Sequence, residues 1–440
     1  MKESEAIEYM LSLQGGSIKP GLDRIEKLLD LLGNPQEDLK FIHIAGTNGK
    51  GSTLAFISEI LSESGYRVGR YISPAISSYR EKIQVNGKSI STAKLIDGAE
   101  IIKTNIVQMV NDGLESPSSF EAETALALWY YKEKKCDYVV IETGMGGLLD
   151  ATNVIPTPLV CVLASISYDH MGFLGDTLEA IARQKAGIIK PGCAVVSAVQ
   201  LSDAEKVITE TARINNCSLN YVNLDKLVDK SEADYSSIKK LQQFTYKEYK
   251  RLSVSMLGKY QLQNAALAIE AIDALKAKGI KVSDDAIRSG LKKATQPGRF
   301  QVVSDKPLII LDGAHNEGAA IRLAETIDFY FTNKRIIYIM GVLKDKEYEK
   351  VSALTADRAE CIFTITPPGN PRALGALELA QTVSKYNKKV TSSDSVEEAL
   401  EMARLIAGDD GVIIAFGSLS YLGKMLELVK NGSGKNKRSR

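Results

Sequence analysis

The chain has 440 residues, more than one hydrophobic core usually organises, so we expect two or three domains. Its composition, 44% hydrophobic and 25% charged, is that of a soluble globular protein. The formal net charge of +1 excludes a bulk attraction to nucleic acid or to an acidic membrane. Any anion must therefore be bound by local groups.

The cysteines and the N-terminus predict where the protein works. The five cysteines are scattered and none forms a C-x-x-C pair, which favours free thiols in a reducing compartment over zinc or disulfides. Residues 1–5 lack an apolar signal core, and no apolar run reaches membrane length. We expect a cytoplasmic protein that binds neither membranes nor nucleic acid.

Residues 1–40 have the apolar spacing of polar helices, and the stretch 41–53 then carries the strongest signal in the chain. An apolar strand enters this stretch, three glycines (Gly46, Gly49 and Gly51) interrupt it, and a helix pattern leaves it. Glycines let backbone N–H groups turn toward an anion, and a helix N-terminus adds positive potential there. The stretch therefore predicts a phosphate-binding loop.

The side chains of this loop support that interpretation but leave an alternative open. Lys50 can reach terminal phosphates, and the Ser52 hydroxyl can face a phosphate or a magnesium ion. The match to G-x-x-x-x-G-K-[ST] is incomplete, because Ile44 stands at the first glycine position and Gly51 directly follows the lysine. An ordinary glycine-rich turn between a strand and a helix is the alternative.

The elements after the loop place polar side chains at strand ends. They are predicted as a strand at 66–72, a mobile loop and turn at 79–88, helices at 92–112, 119–134 and 176–187, and strands at 138–142 and 159–163. Ser73 ends the first of these strands before Pro74, and Glu142 ends another. Because the carboxyl ends of parallel strands face the ligand crevice, Glu142 is expected beside the phosphate loop.

The alternation of strands and helices predicts an α/β fold with a doubly wound, mostly parallel sheet. Short alternating stretches at 219–257 predict a small antiparallel β insert, and Gln296-Pro297-Gly298 reads as a linker. Further strands at 308–311, 336–340, 361–365 and 412–416 alternate with helices at 317–331, 375–386, 395–407 and 420–430. We therefore expect a P-loop domain at 1–295, a second, Rossmann-like α/β domain at 296–430 and a disordered basic tail at 431–440.

Taken together, the motifs resemble the folylpolyglutamate synthase/dihydrofolate synthase branch of the Mur-type ATP-dependent amide ligases. The motifs that carry the resemblance are the phosphate loop, Ser73-Pro74, Glu142 with its glycines, 150–153, Asp169-His170, 174–178, 184–192, 263–266, 298–300, 312–316 and 344–346. It covers about residues 18 to 424 in the order of the family. The resemblance makes 1–295 a Mur ligase central-type ATP-binding domain and 296–430 a C-terminal glutamate-ligase domain.

The resemblance implies ATP and Mg²⁺ as cofactors, with two ions expected. The implied nucleotide-binding residues are Gly46, Thr47, Asn48, Gly49, Lys50, Gly51, Ser52, Asn264, Arg299 and Asp312. The implied magnesium ligands are Ser73, Glu142 and His170, with Lys185 N6-carboxylated, as a carbamate, near the second ion. Catalytic roles are implied for Lys50, Lys185 and His315.

The resemblance also implies the substrates. A folate or pterin is expected near Ser118, Ser119, Phe120, Glu121, Leu149, Asp150 and Ala151, and the incoming L-glutamate near His315 and Ser418. The implied reaction adds L-glutamate to the γ-carboxyl of tetrahydrofolate through an acyl phosphate, and joining glutamate to dihydropteroate is a second expected activity. The family's tendency implies a monomer.

Two departures from the family pattern keep alternatives open. Ala75 and Leu148 stand where the family usually has histidine and arginine, and both lie toward the folate side. A Mur-type ligase acting on a different carboxylate acceptor is therefore one alternative, and a non-catalytic nucleotide-binding switch is another. The switch is disfavoured because the chain has no N-K-x-D guanine motif and a switch does not need a second domain carrying Asp312 and His315.

Overall fold

The computed structural model describes residues 1–13, 21–232, 238 and 241–435, and they form two α/β domains that meet at the predicted linker. This confirms the predicted fold class. Among the described residues, no helix is both long and apolar enough to cross a lipid bilayer.

The first domain is built on an eight-stranded sheet. Its strands are β1 (Phe41–Ala45), β2 (Val68–Tyr71), β3 (Ile83–Val85), β4 (Lys88–Ser89), β5 (Tyr138–Glu142), β6 (Val160–Leu163), β7 (Ala194–Ser197) and β8 (Ser218–Tyr221). Their order is β4-β3-β2-β5-β1-β6-β7-β8, with β3 antiparallel to both of its neighbours and all other pairs parallel. The central position of β1 places the loop that follows it in the middle of the carboxyl edge of the sheet.

The hairpin β3–β4 corrects the prediction of a mobile loop and turn at 79–88, because the turn is present but two strands flank it. Asn86 and Gly87 form its turn with φ angles of 47° and 71°, the left-handed conformation that a two-residue hairpin requires. The Asn86 side chain also accepts a hydrogen bond from the Val68 amide at 2.7 Å, which fixes the turn against β2.

Helices cover both faces of this sheet. They are α1 (Glu3–Ser12), α2 (Asp23–Leu31), α3 (Lys50–Glu63), α4 (Thr92–Asn111), α5 (Ser119–Glu133), α6 (Met171–Leu174), α7 (Leu178–Ala186), α8 (Ser202–Ile214), α9 (Lys259–Ala277) and α10 (Asp284–Lys293). Ile42 and Ile44 of β1 pack with α3, α9 and α10, whereas Phe41 faces α2, α4 and α5. Helices α7 and α8 cover the same face as α5, at the β6–β8 end. The sheet is thus doubly wound, as predicted.

The predicted antiparallel insert is present. It consists of β9 (Leu227–Asp229), β10 (Gln242–Tyr246) and β11 (Tyr249–Val254), in the order β11-β10-β9. It begins later than the predicted residue 219, because β8 belongs to the main sheet. Phe244 and Leu252 of the insert pack in the same core as α9.

The second domain is a six-stranded sheet with helices on both faces. Its elements are β12 (Gln301–Asp305), β13 (Leu308–Leu311), α11 (Glu317–Tyr330), β14 (Ile336–Met340), α12 (Tyr348–Thr355), β15 (Cys361–Thr364), α13 (Ala376–Val383), β16 (Val390–Ser392), α14 (Val396–Ala407), β17 (Val412–Phe416) and α15 (Leu422–Lys435). The order is β12-β13-β17-β14-β15-β16, and only β12 is antiparallel to its neighbour. Helix α15 continues past the predicted boundary at 430, and residues 436–440 of the predicted disordered tail lie outside the described residues.

The packing of α10 on α3 generates a first prediction. It matters for the site because α3 begins directly after the glycine-rich loop. A Cβ atom on Gly290 would lie 2.5 Å from the Ile60 backbone, so Gly290→Ala is expected to push the helices apart and to lower the free energy of unfolding by about 1–3 kcal/mol. Gly172→Ala is the control, because a Cβ atom there meets nothing within 4 Å. Urea denaturation measures both variants, and equal midpoints would contradict the packing argument.

Candidate active site

The glycines of the predicted phosphate loop are needed where the loop touches its neighbours. A Cβ atom on Gly46 would lie 2.7 Å from the Ala164 side chain, and one on Gly49 would lie 2.6 Å from Asn264 Oδ1. Gly49 also has a φ of 93°, which favours glycine. The loop is therefore pressed between the end of β6 and helix α9, and Asn264 lies directly against it.

The loop leaves the first amides of α3 free of helical acceptors. The Thr47 and Asn48 amides donate to the Ser165 carbonyl at 2.8 and 3.1 Å, and the first helical hydrogen bond runs from the Thr53 amide to the Gly49 carbonyl at 2.9 Å. The N–H groups of residues 50–52 open the helix and have no acceptor within it. Together with the helix dipole they can bind an anion.

Two lysines, the half-buried Lys50 and the buried Lys185, meet at one carbonyl oxygen of this loop. Lys50 Nζ and Lys185 Nζ each lie 2.9 Å from the Gly46 oxygen, and Lys50 also donates to the Thr47 carbonyl at 3.3 Å. Burial lowers the pKa of both amines, and the neighbouring charge of Lys50 contributes to bringing the pKa of Lys185 to about 7. A carbonyl offers only partial charge to two ammonium groups, so an anion bound here would stabilise the arrangement.

The two predicted strand-end residues lie together beside the loop. Glu142 is paired in register with Ile44, and its Oε1 accepts a hydrogen bond from the Ser73 amide at 2.8 Å. Burial raises the pKa of Glu142, while the charge of Lys50 opposes that effect. The sequence argument that placed this acid beside the phosphate loop is therefore correct in geometry.

A polar cleft between the domains contains much of the predicted site. It is lined by Thr47, Gly49, Lys50, Gly51, Ser73, Pro74, Ile76, Glu142, Gln296, Pro297, Arg299 and Leu419. Phosphate loop, strand ends, linker and second domain thus all contribute. Gln296 was not predicted as a site residue, yet Arg70 donates to its side-chain oxygen and it lies against Gly51.

The cleft offers hard oxygen ligands from Ser73 and Glu142, which suit Mg²⁺. In the described ranges, no group of three or more His, Cys, Asp or Glu side chains is arranged to hold a metal ion. His170 does not line the cleft, and its Nε2 lies 3.3 Å from Lys346 Nζ.

Asp169 joins the two domains. Its carboxylate accepts hydrogen bonds from Lys346 Nζ at 2.8 Å and from Asn316 Nδ2 at 3.2 Å, and His315 Nε2 lies 3.8 Å away. Burial alone would raise the pKa of Asp169, but the nearby His315 ring and the charge of Lys346 hold it well below its usual range. Sequence reasoning gave no role to Asp169, Lys346 or Asn316, although all three lie in the recognised motifs.

Asn316 connects the second domain directly to the phosphate loop. Asn48 Nδ2 donates to Asn316 Oδ1 at 3.1 Å, and Asn316 Nδ2 lies 3.3 Å from Asn48 Oδ1. Asn316 also caps α11 by accepting from the Ala319 amide at 2.9 Å. The helix cap is therefore Asn316, while His315 binds the Gly313 carbonyl through Nδ1 at 2.7 Å.

The other predicted residues of the second half have local partners. Asp312 is buried, which raises its pKa, and its two oxygens accept from the Phe300 and Ala314 amides, each at 2.8 Å. Asp312 therefore contacts both the residue after Arg299, which lines the cleft, and the residue before His315. Ser418 caps the turn that carries Leu419 into the cleft, by accepting from the Ser420 amide at 3.2 Å.

The predicted folate-side residues at the start of α5 also have structural partners. Ser118 and Glu121 form a capping box, and Arg24 pairs with both oxygens of the Glu121 carboxylate at 3.1 and 3.2 Å. Ser119 is buried and Phe120 packs against Gly144, where a Cβ atom would lie 2.6 Å from its ring. These contacts fix the shape of the segment.

The segment 149–151 is half open to solvent. Leu149 is exposed, Ala151 is buried, and Asp150 accepts hydrogen bonds from the Met145 amide at 2.8 Å and from the Thr152 hydroxyl at 2.6 Å. Leu148, one of the two departures from the family pattern, is exposed beside it. None of the three predicted residues, Leu149, Asp150 and Ala151, lines the interdomain cleft.

Two known domain families match the chain. The Mur ligase middle domain matches residues 44–272, and the Mur ligase, glutamate ligase domain matches residues 298–419. A Bacillus subtilis protein named dihydrofolate synthase/folylpolyglutamate synthase is 37% identical over 419 residues, which cover 94% of this chain and 96% of the relative.

Solved structures are similar over both domains. Mycobacterium tuberculosis folylpolyglutamate synthase complexed with ADP and AMPPCP has a TM-score of 0.88 at 28% identity, covering 97% of this chain and 99% of that one. Escherichia coli FolC in complex with DHPP and ADP has a TM-score of 0.85 at 28% identity, covering 98% of this chain and 99% of that one. The similarity therefore includes the cleft between the domains.

The Asp169 contact generates a second prediction. Lys346 and Asp169 are only 9% and 11% exposed, so Asp169→Ala leaves a nearly buried ammonium without its partner, at a cost of about 3–5 kcal/mol. Asp345→Ala is the control, since it removes a more exposed carboxylate paired with Arg372 and should cost less than about 1 kcal/mol. Urea denaturation followed by circular dichroism compares them. A midpoint for Asp169→Ala no lower than that of the control would show that this pair does not hold the domains together.

Proposed function

The chain belongs to the folylpolyglutamate synthase/dihydrofolate synthase family of Mur-type ligases, and we propose that its cleft uses ATP to join L-glutamate to the γ-carboxyl of a reduced folate. The observation that carries the proposal is the convergence of Lys50, Glu142 and Arg299 in one interdomain cleft around a helix N-terminus. Condensing a carboxylate with an amine requires a leaving group, which ATP supplies by forming an acyl phosphate. Because the similar Bacillus subtilis protein is named as a synthase, a non-catalytic switch is set aside.

The positive charges around Gly46 support this chemistry. The γ-phosphate and the attacking carboxylate are both anionic, so their approach needs cations and oriented N–H groups. Lys50, which begins α3, needs only to exchange the Gly46 and Thr47 carbonyls for phosphate oxygens. The free amides of residues 50–52 face the same direction as the helix dipole.

Mg²⁺ fits this site because Ser73 and Glu142 present oxygen ligands beside the loop. When bound, the ion supplies screening of the phosphate charge and polarises the oxygen at which the bond breaks. We propose a second ion held with His170. Burial lowers the pKa of His170 to about 4, so its imidazole is neutral at physiological pH, as a ligand must be.

Lys185 is the residue that we propose to be carboxylated. Burial and the charge of Lys50 lower its pKa to about 7, so a large share of the amine is neutral near pH 7 and can add carbon dioxide. The carbamate would replace repulsion between two ammonium groups by attraction to Lys50. It would also offer the oxygen ligands that Mg²⁺ prefers.

The remaining roles are proposed from position. Asn264 and Thr47 would shape the nucleotide site with the loop glycines, and Arg299 would face the nucleotide from the linker. His315 would face the incoming glutamate. Ser418, which holds the turn after β17, would lie on the same side. The enzyme is proposed to act as a cytoplasmic monomer, without nucleic acid or membrane partners, consistent with its net charge of +1.

The folate is proposed to bind between the start of α5 and the segment 149–151, where Phe120 and Leu149 supply apolar surface. Dihydropteroate is proposed as a second acceptor, a possibility favoured by the similarity to Escherichia coli FolC solved with DHPP. Ala75 and Leu148 replace polar residues of the family on this side. A different carboxylate acceptor is therefore the alternative that the assay must separate.

Phosphate release with ATP, L-glutamate and tetrahydrofolate tests the function. Release is expected only when all three are present, with a folate product heavier by one glutamate residue. Dihydropteroate replaces tetrahydrofolate in a parallel reaction. Glutamate-dependent phosphate release at the same rate with or without tetrahydrofolate and dihydropteroate would reject folate as the substrate. Phosphate release that does not require glutamate would reject the ligase activity.

Lys50→Ala is expected to leave the protein folded and to reduce turnover by about 10²–10³-fold, because Lys50 bears on charge that develops during phosphoryl transfer. Lys88→Ala, in the exposed hairpin β3–β4, is the matched control and should retain full activity. Circular dichroism checks the fold of both. Near-normal turnover in Lys50→Ala would reject the proposed role of Lys50 in phosphoryl transfer.

Lys185→Ala is expected to lose activity because it removes the proposed carbamate, and acetate or formate should restore part of it by supplying a carboxylate in the vacated space. Lys50→Ala is the matched control, since a small acid cannot replace a cation there. Full activity of Lys185→Ala without any added acid, or equal rescue of both variants, would contradict the carbamate.

A further inference from the structure

Three of the five cysteines, which are far apart in sequence, lie in a row across neighbouring strands. Cys161 is in β6, Cys193 directly precedes β7, and Cys217 directly precedes β8. The sulfur of Cys193 lies 3.5 Å from that of Cys161 and 3.6 Å from that of Cys217. The strands β6, β7 and β8 are parallel neighbours, so the row is fixed by the sheet itself.

The strand register favours a bond between Cys193 and Cys217. The residues that follow them, Ala194 and Ser218, are paired in register on β7 and β8, which places the two cysteines at the same level. Neighbouring strands lie about 4.8 Å apart, within the Cα separation of about 4.4–6.8 Å that a disulfide spans. Only a small movement of the two sulfur atoms is needed.

The thiols differ in access and in acidity. Cys161 and Cys193 are buried, whereas Cys217 is partly exposed. The close contact of its sulfur with those of Cys161 and Cys217 lowers the pKa of Cys193 to about 6 despite its burial, while burial raises the pKa of Cys217 to about 11. An oxidant therefore reaches Cys217 first, and the Cys193 sulfur is the buried neighbour 3.6 Å from it.

The row also contacts the segment that follows the helix of Lys185. The Cys161 thiol donates to the Ile188 carbonyl at 3.0 Å, and the Cys217 thiol donates to the Lys190 carbonyl at 3.3 Å. Residues 187–193 connect α7 to β7 at the edge of the sheet opposite the phosphate loop. A change at Cys217 therefore removes a donor from the connection that holds α7.

We propose that Cys193 and Cys217 form a redox modification site, at which a peroxide converts the two thiols into a disulfide. The Cys217 sulfur attacks one peroxide oxygen, the O–O bond breaks, and Cys217 sulfenic acid and one water result. The Cys193 sulfur then attacks the Cys217 sulfur, the S–S bond forms as the S–O bond of the sulfenic acid breaks, and the departing hydroxide takes up the Cys193 thiol proton to become the second water. The two thiols lose two electrons and two protons, which the peroxide accepts.

A metal ion does not explain the row, since the described residues contain no group of three or more His, Cys, Asp or Glu side chains arranged to hold one. The inference goes beyond the proposed ligase activity, and the formation of the disulfide does not depend on it. The effect on activity described below does rest on that proposed function.

Peptide mapping tests the site on the full chain. Reduced protein is treated with hydrogen peroxide, free thiols are blocked with N-ethylmaleimide, and the protein is digested with trypsin without reductant. Cleavage after Lys206 and Arg213 separates the two cysteines, so a linked peptide pair that dithiothreitol releases is expected. Cys217→Ser should abolish it, and Cys361→Ser, at another partly exposed cysteine, should leave it unchanged.

Two results would overturn the proposal. One is Cys217 oxidised to the sulfenic or sulfinic acid while Cys193 is fully blocked by maleimide. The other is a disulfide that joins Cys193 to Cys161, or that still forms in Cys217→Ser. Phosphate release by the oxidised protein is expected to fall and to return with dithiothreitol, but not to change in Cys217→Ser. If the disulfide is mapped but phosphate release is unchanged, the disulfide stands and only its proposed effect on the helix of Lys185 is refuted.

Discussion

The structure depends on two lysine amines that meet at one carbonyl oxygen. Lys50 and Lys185 reach the Gly46 oxygen from α3 and α7, which pack on opposite faces of the first sheet. Burying two like charges is costly unless an anion or a change of ionisation compensates for it. The lowered pKa values of both lysines reflect this cost. Glu142 and the open amides of α3 surround the same point, so the anionic phosphates of a bound substrate are the natural compensation.

The second domain completes this arrangement through polar contacts. Asn316 of the second domain pairs with Asn48 of the loop, and Asp169 binds Lys346 across the same boundary. Because these groups are largely buried, each must be satisfied by its partner, which fixes the relative position of the domains. The linker adds Arg299 to the cleft wall. A site formed in this way can keep water away from the acyl phosphate of the proposed reaction.

Sequence patterns predicted those features that are local in the chain. The strand that ends at Glu142 and the strand Ile336–Met340 were placed at their observed bounds, because apolar runs with clear ends are local signals. The turn within 79–88 was predicted but the flanking strands β3 and β4 were not, and the short strands β12 and β16 carry little signal of their own. Contacts between distant residues could not be predicted. Lys346 lies 177 residues from Asp169 in the sequence. The three cysteines of the thiol row are also far apart in sequence, and only the fold brings their sulfur atoms together.

A crystal structure of the full chain with Mg²⁺ and AMPPCP tests the central claim most directly, namely that the two-lysine cluster receives the phosphates of a nucleotide held between the domains. The account predicts phosphate oxygens at the amides of residues 50–52, with Lys50 Nζ moved from the Gly46 oxygen to a phosphate oxygen and Arg299 facing the nucleotide. A nucleotide bound outside this cleft, or phosphates that leave both lysines on the Gly46 oxygen, would contradict it.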